Sequence, residues 1–405
     1  MRVAILGGTF NPPHCAHVDM GRYALEHLGF DRLLVIPTSN PPHKEVAGDV
    51  SELQRLELTR IAFQSVSNAH VSDIEVRRGG RSYTYDTVLA LKEQNPTQQH
   101  TLVVGQDMLE SIESWFRFEA LLETIPIVVF PRKTESKELK PLVDRLSQTY
   151  QCSISTAGVT VGDLSSTVLR QCLQSEIPQG IPAQVLRRIV QDGIYGVKLG
   201  EERMETERER ASYRLLEARL NPHRLWHSIA VMDEMGRLAI RYGVDRESAR
   251  IAGLIHDITK DETTENQLRL CSVSGILISE LEKSSPKLLH AITGAVVADD
   301  VLVESDQEIL NAIRYHTTGR ADMTLLEKML YIADYVEPLR DFEGIDAVRS
   351  MYVEDLDGAL LRALDSTITE VLNSGGLLHP DTVHARNYLV AQRSEACEIF
   401  QGDCD

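Results

Sequence analysis

The sequence has few of the features that mark membrane-spanning, secreted or disulfide-stabilised proteins. None of its apolar runs is long enough to cross a bilayer. The opening residues, MRVAILGGTF, do not have the layout of a signal peptide. The six cysteines include no CxxC pair. We therefore expect reduced thiols, a cytoplasmic location and no attachment to a membrane.

The sequence also lacks an excess of positive charge. It contains 42 Lys and Arg against 60 Asp and Glu, a net charge of -18. Residues 1–196 carry 19 basic against 22 acidic residues, and the remainder carries 23 against 38. This acidity disfavours nucleic acid and anionic membranes as partners, so an anionic substrate needs local cationic groups or metal ions.

The chain has enough apolar residues for two domains, and it contains no internal repeat or low-complexity tract. A chain of 405 residues is longer than most domains with a single hydrophobic core, and a hydrophobic content of 42% excludes a disordered chain. Over residues 1–196, short apolar runs alternate with helical patterns, which predicts a parallel α/β sheet. From Tyr213 to the end, residue 405, the apolar spacing stays helical and predicts an all-α domain. The charged segment 197–212 is predicted to be a linker or an exposed helix start.

A glycine-rich turn follows the first predicted strand and precedes an amphipathic helix. The turn is formed by Gly7, Gly8, Thr9 and Phe10, and it is followed by two histidines, His14 and His17. Glycines let the backbone approach an anion, and the free N–H groups at a helix start favour negative charge. A Gly-Gly turn alone is a weak signal, but the two imidazoles make a phosphate-binding role the better interpretation.

Further polar residues follow other predicted strands or precede helices. Lys44 lies in the loop PPHK and could equally be a solvated charge, and Thr84 or Asp86 could be an ordinary helix cap. Asp107 follows a strand in the segment GQDM, and Trp115 is either a platform for a flat ring or part of the core.

A second hydroxyl-rich element precedes an apolar helical run. It contains Ser165, Ser166, Thr167 and Arg170. The hydroxyls have an ordinary explanation as N-caps. Arg170 is expected in the first turn, where it would add a cation to a helix end that already favours anions.

These motifs together resemble the nucleotidyltransferase signature GGTF…HxGH and, more narrowly, the bacterial nicotinate-mononucleotide adenylyltransferases, with Ala16 in place of the signature glycine. The resemblance covers residues 1–196 and implies a Rossmann-like domain that transfers AMP from ATP to nicotinate mononucleotide with Mg²⁺. It implies catalytic roles for His14, His17, Lys44 and Arg170. It implies substrate binding by Gly7, Gly8, Thr9, Phe10, Thr84, Asp107, Trp115, Ser165, Ser166 and Thr167, with the aspartate near ribose and the tryptophan on the pyridine ring.

The second half contains separated histidines and aspartates on successive predicted helices. They are His227, His256, Asp257, His290, His316 and Asp334. Burying an imidazole and a carboxylate inside the apolar run before His256 is costly unless a partner such as a divalent metal compensates. His223 lies four residues before His227 and is an alternative ligand.

This pattern resembles the HD metal-dependent phosphohydrolases and, within them, the bacterial enzymes that split diadenosine tetraphosphate into two ADP, over residues 213–395. The resemblance implies that Asp257 bridges two metals, with His227, His256 and Asp334 on one and His290 and His316 on the other. Iron or manganese suits these ligands. Arg320 and Arg340 are expected to hold the polyphosphate. Alternatives are another nucleotide or phosphoester as substrate, or a regulatory nucleotide-binding domain. A homo-oligomer is possible, and we expect two independent sites.

Overall fold

The computed structural model describes residues 1–41, 50–132, 136–302 and 306–402, and the side chains of these residues except 136–138 and 395–402. The chain divides into two compact units, Met1–Val197 and Lys198–Asp405. No helix in the described ranges is both long and apolar enough for a bilayer crossing.

Six parallel strands form one sheet in the first unit, in the order β3-β2-β1-β4-β5-β6. Buried runs such as Ile127–Phe130 are typical of strands with helices on both faces. This is the order of a Rossmann-like sheet, in which the winding reverses between β1 and β4. The structure confirms the predicted parallel α/β fold. The strands are β1 (Arg2–Gly8), β2 (Arg32–Pro37), β3 (Ala69–Val71), β4 (Gln99–Gly105), β5 (Ile127–Phe130) and β6 (Ile154–Thr156).

Nine α-helices of the first unit follow or connect these strands within the described residues. Helix α2 begins with a capping box, in which Ser51 and Gln54 each accept a hydrogen bond from the other's backbone N–H. The helices are α1 (Cys15–Glu26), α2 (Glu52–Phe63), α3 (Ile74–Arg78), α4 (Thr84–Gln94), α5 (Gln106–Glu110), α6 (Phe118–Thr124), α7 (Ser136–Tyr150), α8 (Ser166–Cys172) and α9 (Ala183–Asp192).

The second unit is all-α over its described residues, as predicted. Asn221, Asp245 and Thr324 each cap a helix by accepting a backbone N–H. Gly243 ends a helix at a φ of 71°, a conformation that favours glycine. The helices are α10 (Glu207–Glu217), α11 (Pro222–Tyr242), α12 (Arg246–Ile255), α13 (Thr264–Val273), α14 (Glu280–Ser284), α15 (Leu289–Val301), α16 (Gln307–Tyr315), α17 (Leu325–Val336), α18 (Ile345–Arg349), α19 (Leu356–Asn373) and α20 (Pro380–Gly402).

The charged segment 197–212, predicted to be a linker or an exposed helix start, contains the start of α10, and much of its charge is paired inside the second unit. Arg203 is buried and contacts the buried carboxylate of Asp233. Glu209, on α10, accepts two hydrogen bonds from the Arg250 guanidinium on α12, at 2.6 and 3.0 Å. A segment without apolar periodicity is thereby attached to the helices through ion pairs, which a hydrophobic pattern does not reveal.

Candidate active sites

A cavity of about 460 Å³ lies in the first unit, where the carboxyl ends of β1 and β4 diverge. Ligands of such sheets bind at this point of reversal. Lys44 lies outside the described residues. Every other residue that the sequence assigned to this site lines the cavity: Gly7, Gly8, Thr9, Phe10, His14, His17, Thr84, Asp107, Trp115, Ser165, Ser166, Thr167 and Arg170.

The two histidines stack at the start of α1, with ring centroids 3.6 Å apart. The backbone N–H of His14 donates to Nδ1 of His17 at 3.2 Å. His17 Nδ1 is therefore an acceptor, and the proton of the neutral ring belongs on Nε2. Burial and the nearby Arg132 lower the pKa of His14 to about 4. Burial and the neighbouring His14 hold the pKa of His17 well below its usual value. Both imidazoles are consequently neutral in the free protein at pH 7.

Helix α8 is tied to the turn that precedes α1. Ser166 Oγ donates to the carbonyl of Pro12 at 3.0 Å, and the Arg170 guanidinium donates to the carbonyl of Asn11. Arg170 lies in the last turn of this seven-residue helix, not in its first turn as predicted. Its side chain still reaches the cavity, because it extends back towards the turn before α1.

Part of the cavity wall is aromatic and is formed by Tyr83, Trp115 and Phe116. Tyr83 and Phe116 lie 4.3 Å apart, centroid to centroid. Trp115 is half-buried, lines the cavity and also packs against the hydrophobic core, so both of its interpretations stay open. Tyr83 occupies the N-cap position of α4 and its side chain makes no capping hydrogen bond, so Thr84 is the first helical residue and not the N-cap.

Three charged residues at or near the cavity were not predicted from the sequence. Arg132 follows β5, lines the cavity and pairs with Asp107 at 3.2 Å. Arg55 is fully buried and donates to the carbonyls of Thr9, Thr38 and Ser39 at 2.6–2.8 Å, which joins the loops after β1 and β2. Glu75 is a buried carboxylate in the cavity wall. The sequence offered a signal only for Arg132, which stands two residues after the apolar run of β5.

The six predicted metal ligands of the second unit come together around Asp257, which is buried. Its Oδ1 lies 3.1 Å from His290 Nε2 and 3.6 Å from His316 Nε2. Its Oδ2 lies 3.7 Å from His256 Nε2 and 3.8 Å from His227 Nε2. Asp334 Oδ1 lies 3.0 Å from His227 Nε2. These side chains form overlapping groups whose possible ligand atoms lie within 4.8 Å of one another.

The imidazoles of this cluster are oriented for ligation through Nε2. The Nδ1 atoms of His256 and His316 each lie 2.7 Å from a backbone carbonyl oxygen, and His227 Nδ1 lies 3.2 Å from Glu337 Oε1. A donated Nδ1 proton leaves the Nε2 lone pair directed at the cluster, as in carboxylate–histidine–metal arrangements. Nε2 of His227 and of His256 and Oδ1 of Asp257 are buried without a hydrogen-bond partner among the described residues. The donor set therefore fits divalent metals.

The protonation states of the cluster follow from burial and close carboxylates. Burial lowers the pKa of His256 to about 3 and that of His290 to about 4. Burial also opposes protonation of His227, but Asp334 and Glu337 outweigh it and raise its pKa to about 9. Burial disfavours the charged form of Asp257, but His256 and the other histidines hold its pKa well below the usual range.

The two arginines predicted to bind polyphosphate already have partners. Arg320 donates to Glu327 Oε1 at 2.8 and 3.2 Å, and Arg340 donates to Asp334. Each guanidinium faces a carboxylate of α17, and the role of these arginines in holding polyphosphate stays a prediction.

Two other cationic residues lie directly beside the cluster. Arg224 lies 3.6 Å from Asp257 Oδ2, and Lys260 Nζ lies 2.9 Å from His290 Nε2. Both stand in the motifs RxxH and HDxxK, which the sequence displays. His223 is exposed against the ring of Trp226, and it lies outside the ligand groups found in the described residues.

Comparisons with known proteins match each unit separately and the two together. Residues 5–171 match the cytidylyltransferase-like family, and residues 224–339 match the HD domain. "Bis(5'-nucleosyl)-tetraphosphatase, symmetrical" of Halalkalibacterium halodurans is 36% identical over 44% of this chain and 95% of its own length. "Probable nicotinate-nucleotide adenylyltransferase" of Gloeobacter violaceus is 33% identical over 49% of this chain and 98% of its own length. "Probable nicotinate-nucleotide adenylyltransferase/Ap4A hydrolase" of Mycoplasma genitalium is 27% identical over 84% of this chain and 89% of its own length.

Proposed function

We propose that the chain is a bifunctional enzyme, because each of its two units belongs to an enzyme family. The first unit belongs to the nicotinate-nucleotide adenylyltransferase family. The second unit belongs to the symmetrical bis(5'-nucleosyl)-tetraphosphatase family, which is an HD-domain family. The first site transfers AMP from ATP to nicotinate mononucleotide, giving deamido-NAD and pyrophosphate. The second site hydrolyses diadenosine tetraphosphate to two ADP. The relative in Mycoplasma genitalium, whose name contains both activities, supports this combination on one chain.

The first reaction is an in-line attack of the mononucleotide phosphate on the α-phosphorus of ATP, with pyrophosphate leaving. The observation that supports it most is the pair of stacked imidazoles at the start of α1, beside the glycine-rich turn. His17 Nε2–H donates to a phosphate oxygen, and Arg170 and Lys44 add positive charge. These residues act by positioning and by stabilising charge, so no covalent intermediate forms. ATP is the Mg²⁺ complex, and the bound ion would screen its phosphate charge.

An assay of the full chain with ATP, Mg²⁺ and nicotinate mononucleotide tests this function. We expect deamido-NAD and pyrophosphate in equal amounts. Nicotinamide mononucleotide in a parallel reaction measures the preference for the acid. Absence of any dinucleotide from either substrate would contradict the assignment.

For the second reaction, Asp257, Asp334 and the four surrounding histidines would hold two divalent metals, iron or manganese. When bound, such metals supply activation of water and neutralisation of phosphate charge. The observation that supports this most is the group of buried Nε2 and Oδ1 atoms without hydrogen-bond partners in the described ranges. Arg224 and Lys260 add cationic groups at the same cluster for the remaining phosphates. Arg340 holds Asp334 in place.

Metal analysis of the purified full chain, together with product analysis, tests the second function. We expect two equivalents of transition metal and ADP as the sole product from diadenosine tetraphosphate. AMP with ATP as products would contradict symmetrical cleavage. Hydrolysis of other nucleotides alone would support a different HD substrate, and nucleotide binding without metal or turnover would support a regulatory domain.

A further inference from the structure

Glu75 is a buried acidic residue in the wall of the first cavity that the proposed reaction does not use. It lies on α3, and its residue is 6% exposed. Its Oε1 accepts a hydrogen bond from Thr87 Oγ1 at 2.7 Å. Its other oxygen, Oε2, is buried and has no hydrogen-bond partner within the described parts of the chain, which leave out residues 42–49.

A buried carboxylate oxygen without a donor is costly, since it has lost its water and gained no hydrogen bond. The cost is greater in a cavity for anionic ligands, because a carboxylate repels phosphate. The phosphate-facing residues of the cavity are donors instead, for example His17 and Arg170. Glu75 is therefore suited to a part of the ligand that carries a hydrogen-bond donor and no negative charge.

The neighbours of Glu75 indicate which part of the ligand this is. Thr87, its hydrogen-bond partner, lies on α4, and the cavity wall before and on α4 includes Tyr83 and Thr84. Trp115 and Phe116 contribute an aromatic surface to the same wall, as a pyridine ring requires. At neutral pH nicotinate mononucleotide presents only acceptors at its carboxylate and phosphate. Its hydrogen-bond donors are the two hydroxyls of its ribose.

We propose that Glu75 Oε2 accepts a hydrogen bond from a ribose hydroxyl of the mononucleotide and thereby selects ribose over deoxyribose. This inference rests on the proposed adenylyltransferase function. Thr87 stabilises the carboxylate through Oε1 and leaves Oε2 for the ligand. Thr87 Oγ1 also lies 3.2 Å from the carbonyl of Tyr83, so it keeps an acceptor when Glu75 is replaced.

The test measures kcat/KM for nicotinate mononucleotide and for its 2'-deoxy and 3'-deoxy forms at saturating ATP. Loss of a hydrogen bond to a charged group lowers the binding free energy substantially. We therefore expect kcat/KM of the wild-type enzyme to be roughly 10–100-fold higher for the ribose substrate than for one of the two deoxy forms. Glu75→Met should bring that ratio close to one. Glu75→Gln, which keeps the shape, should reduce it to a few-fold because its acceptor is neutral.

Asp73→Asn is the matched control. It removes a carboxylate from the start of the same helix, where Asp73 pairs with Arg77 at 2.7 Å and does not line the cavity. We expect this variant to keep the wild-type ratio. Because each ratio compares substrates on one variant, a partial loss of folded protein does not change it.

Three results would overturn the inference. The wild-type enzyme could show no preference for ribose, both Glu75 variants could keep the preference, or Asp73→Asn could lose it as well. Failure of the proposed function itself is distinguishable, because the wild-type enzyme would then form no dinucleotide from the ribose substrate.

Discussion

In the proposed reaction His17 is a directed neutral donor, because its second ring nitrogen is already occupied. The backbone N–H of His14 holds Nδ1, and burial keeps the ring uncharged. His17→Ala removes a donor that is fixed before the substrate arrives. Loss of one such donor costs roughly 10²–10³-fold in turnover, so we expect kcat for deamido-NAD formation to fall by about that factor. Steady-state assay of pyrophosphate release measures it.

His27→Ala is the control for this prediction. His27 follows the last turn of the same helix, is exposed against the ring of Tyr23 and does not line the cavity. We expect its kcat to stay near the wild-type value. A His17→Ala enzyme with near-normal turnover would contradict the assigned role.

Trp115 has two interpretations that a single substitution separates. If its ring supports the pyridine ring, Trp115→Ala should raise KM for the mononucleotide far more than KM for ATP. If it only fills the core, the change should lower the melting temperature and leave the ratio of the two constants unchanged. We expect the first result, because the side chain lines the cavity. Trp226→Ala, in the second unit, should change neither KM.

Residues that belong to a recognisable motif or ligand pattern could be predicted from the sequence, whereas two buried glutamates could not. The glycine-rich turn, His14 and His17 stand within a few positions of one another. Glu75 stands in the short helix α3 and Glu337 directly after α17, and only the fold brings them to a cavity wall or to His227. A charged residue that acts through a distant partner leaves no local pattern.

At the scale of elements, length decided which strands could be predicted. The four central strands, β1, β2, β4 and β5, contain continuous apolar runs, the pattern from which the parallel sheet was predicted. The edge strands β3 and β6 have three residues each and lie at the two ends of the sheet. Three residues are too few for either an apolar run or an alternating pattern, so these strands depend on the sheet that they join.

Helix α10 is held to α12 by charge, and this predicts a large effect of one substitution. Glu209→Ala leaves the buried guanidinium of Arg250 without its main carboxylate partner. Removing one member of a buried ion pair typically costs about 3–5 kcal/mol, so we expect the free energy of unfolding of the second unit to fall by roughly that amount. Urea unfolding followed by Trp226 fluorescence measures it.

Glu207 provides the comparison, because it is an exposed residue of the same helix that pairs with Arg210. Glu207→Ala should change the free energy of unfolding by less than about 1 kcal/mol. Equal effects of the two substitutions would show that α10 is not attached through Arg250.

At the scale of the whole molecule, each candidate site is built by one unit. The cavity of the first unit is lined by residues up to Arg170, and the histidine–aspartate cluster begins at His227. The sequence could predict two domains because the apolar pattern changes character along the chain. It could not predict that the second unit starts at Lys198, because ion pairs replace apolar contacts there.

Asp257→Ala tests whether the two sites work independently. Its two carboxylate oxygens face different histidine pairs, so the change should remove both metals and abolish ADP release from diadenosine tetraphosphate. Deamido-NAD formation should stay near the wild-type rate, since no described residue of that cavity belongs to the second unit. His316→Ala removes a ligand of one group only and should retain one metal equivalent.

Asp300→Ala, which changes an exposed aspartate on the helix that carries His290, should keep both metals and both activities. Measuring the two reactions and the metal content on the same preparations separates the possible outcomes. Persistent ADP release by Asp257→Ala would contradict the metal assignment. A large fall in adenylyl transfer by a folded Asp257→Ala protein would instead show that the first site depends on the second, because the substitution leaves every residue of the first cavity unchanged.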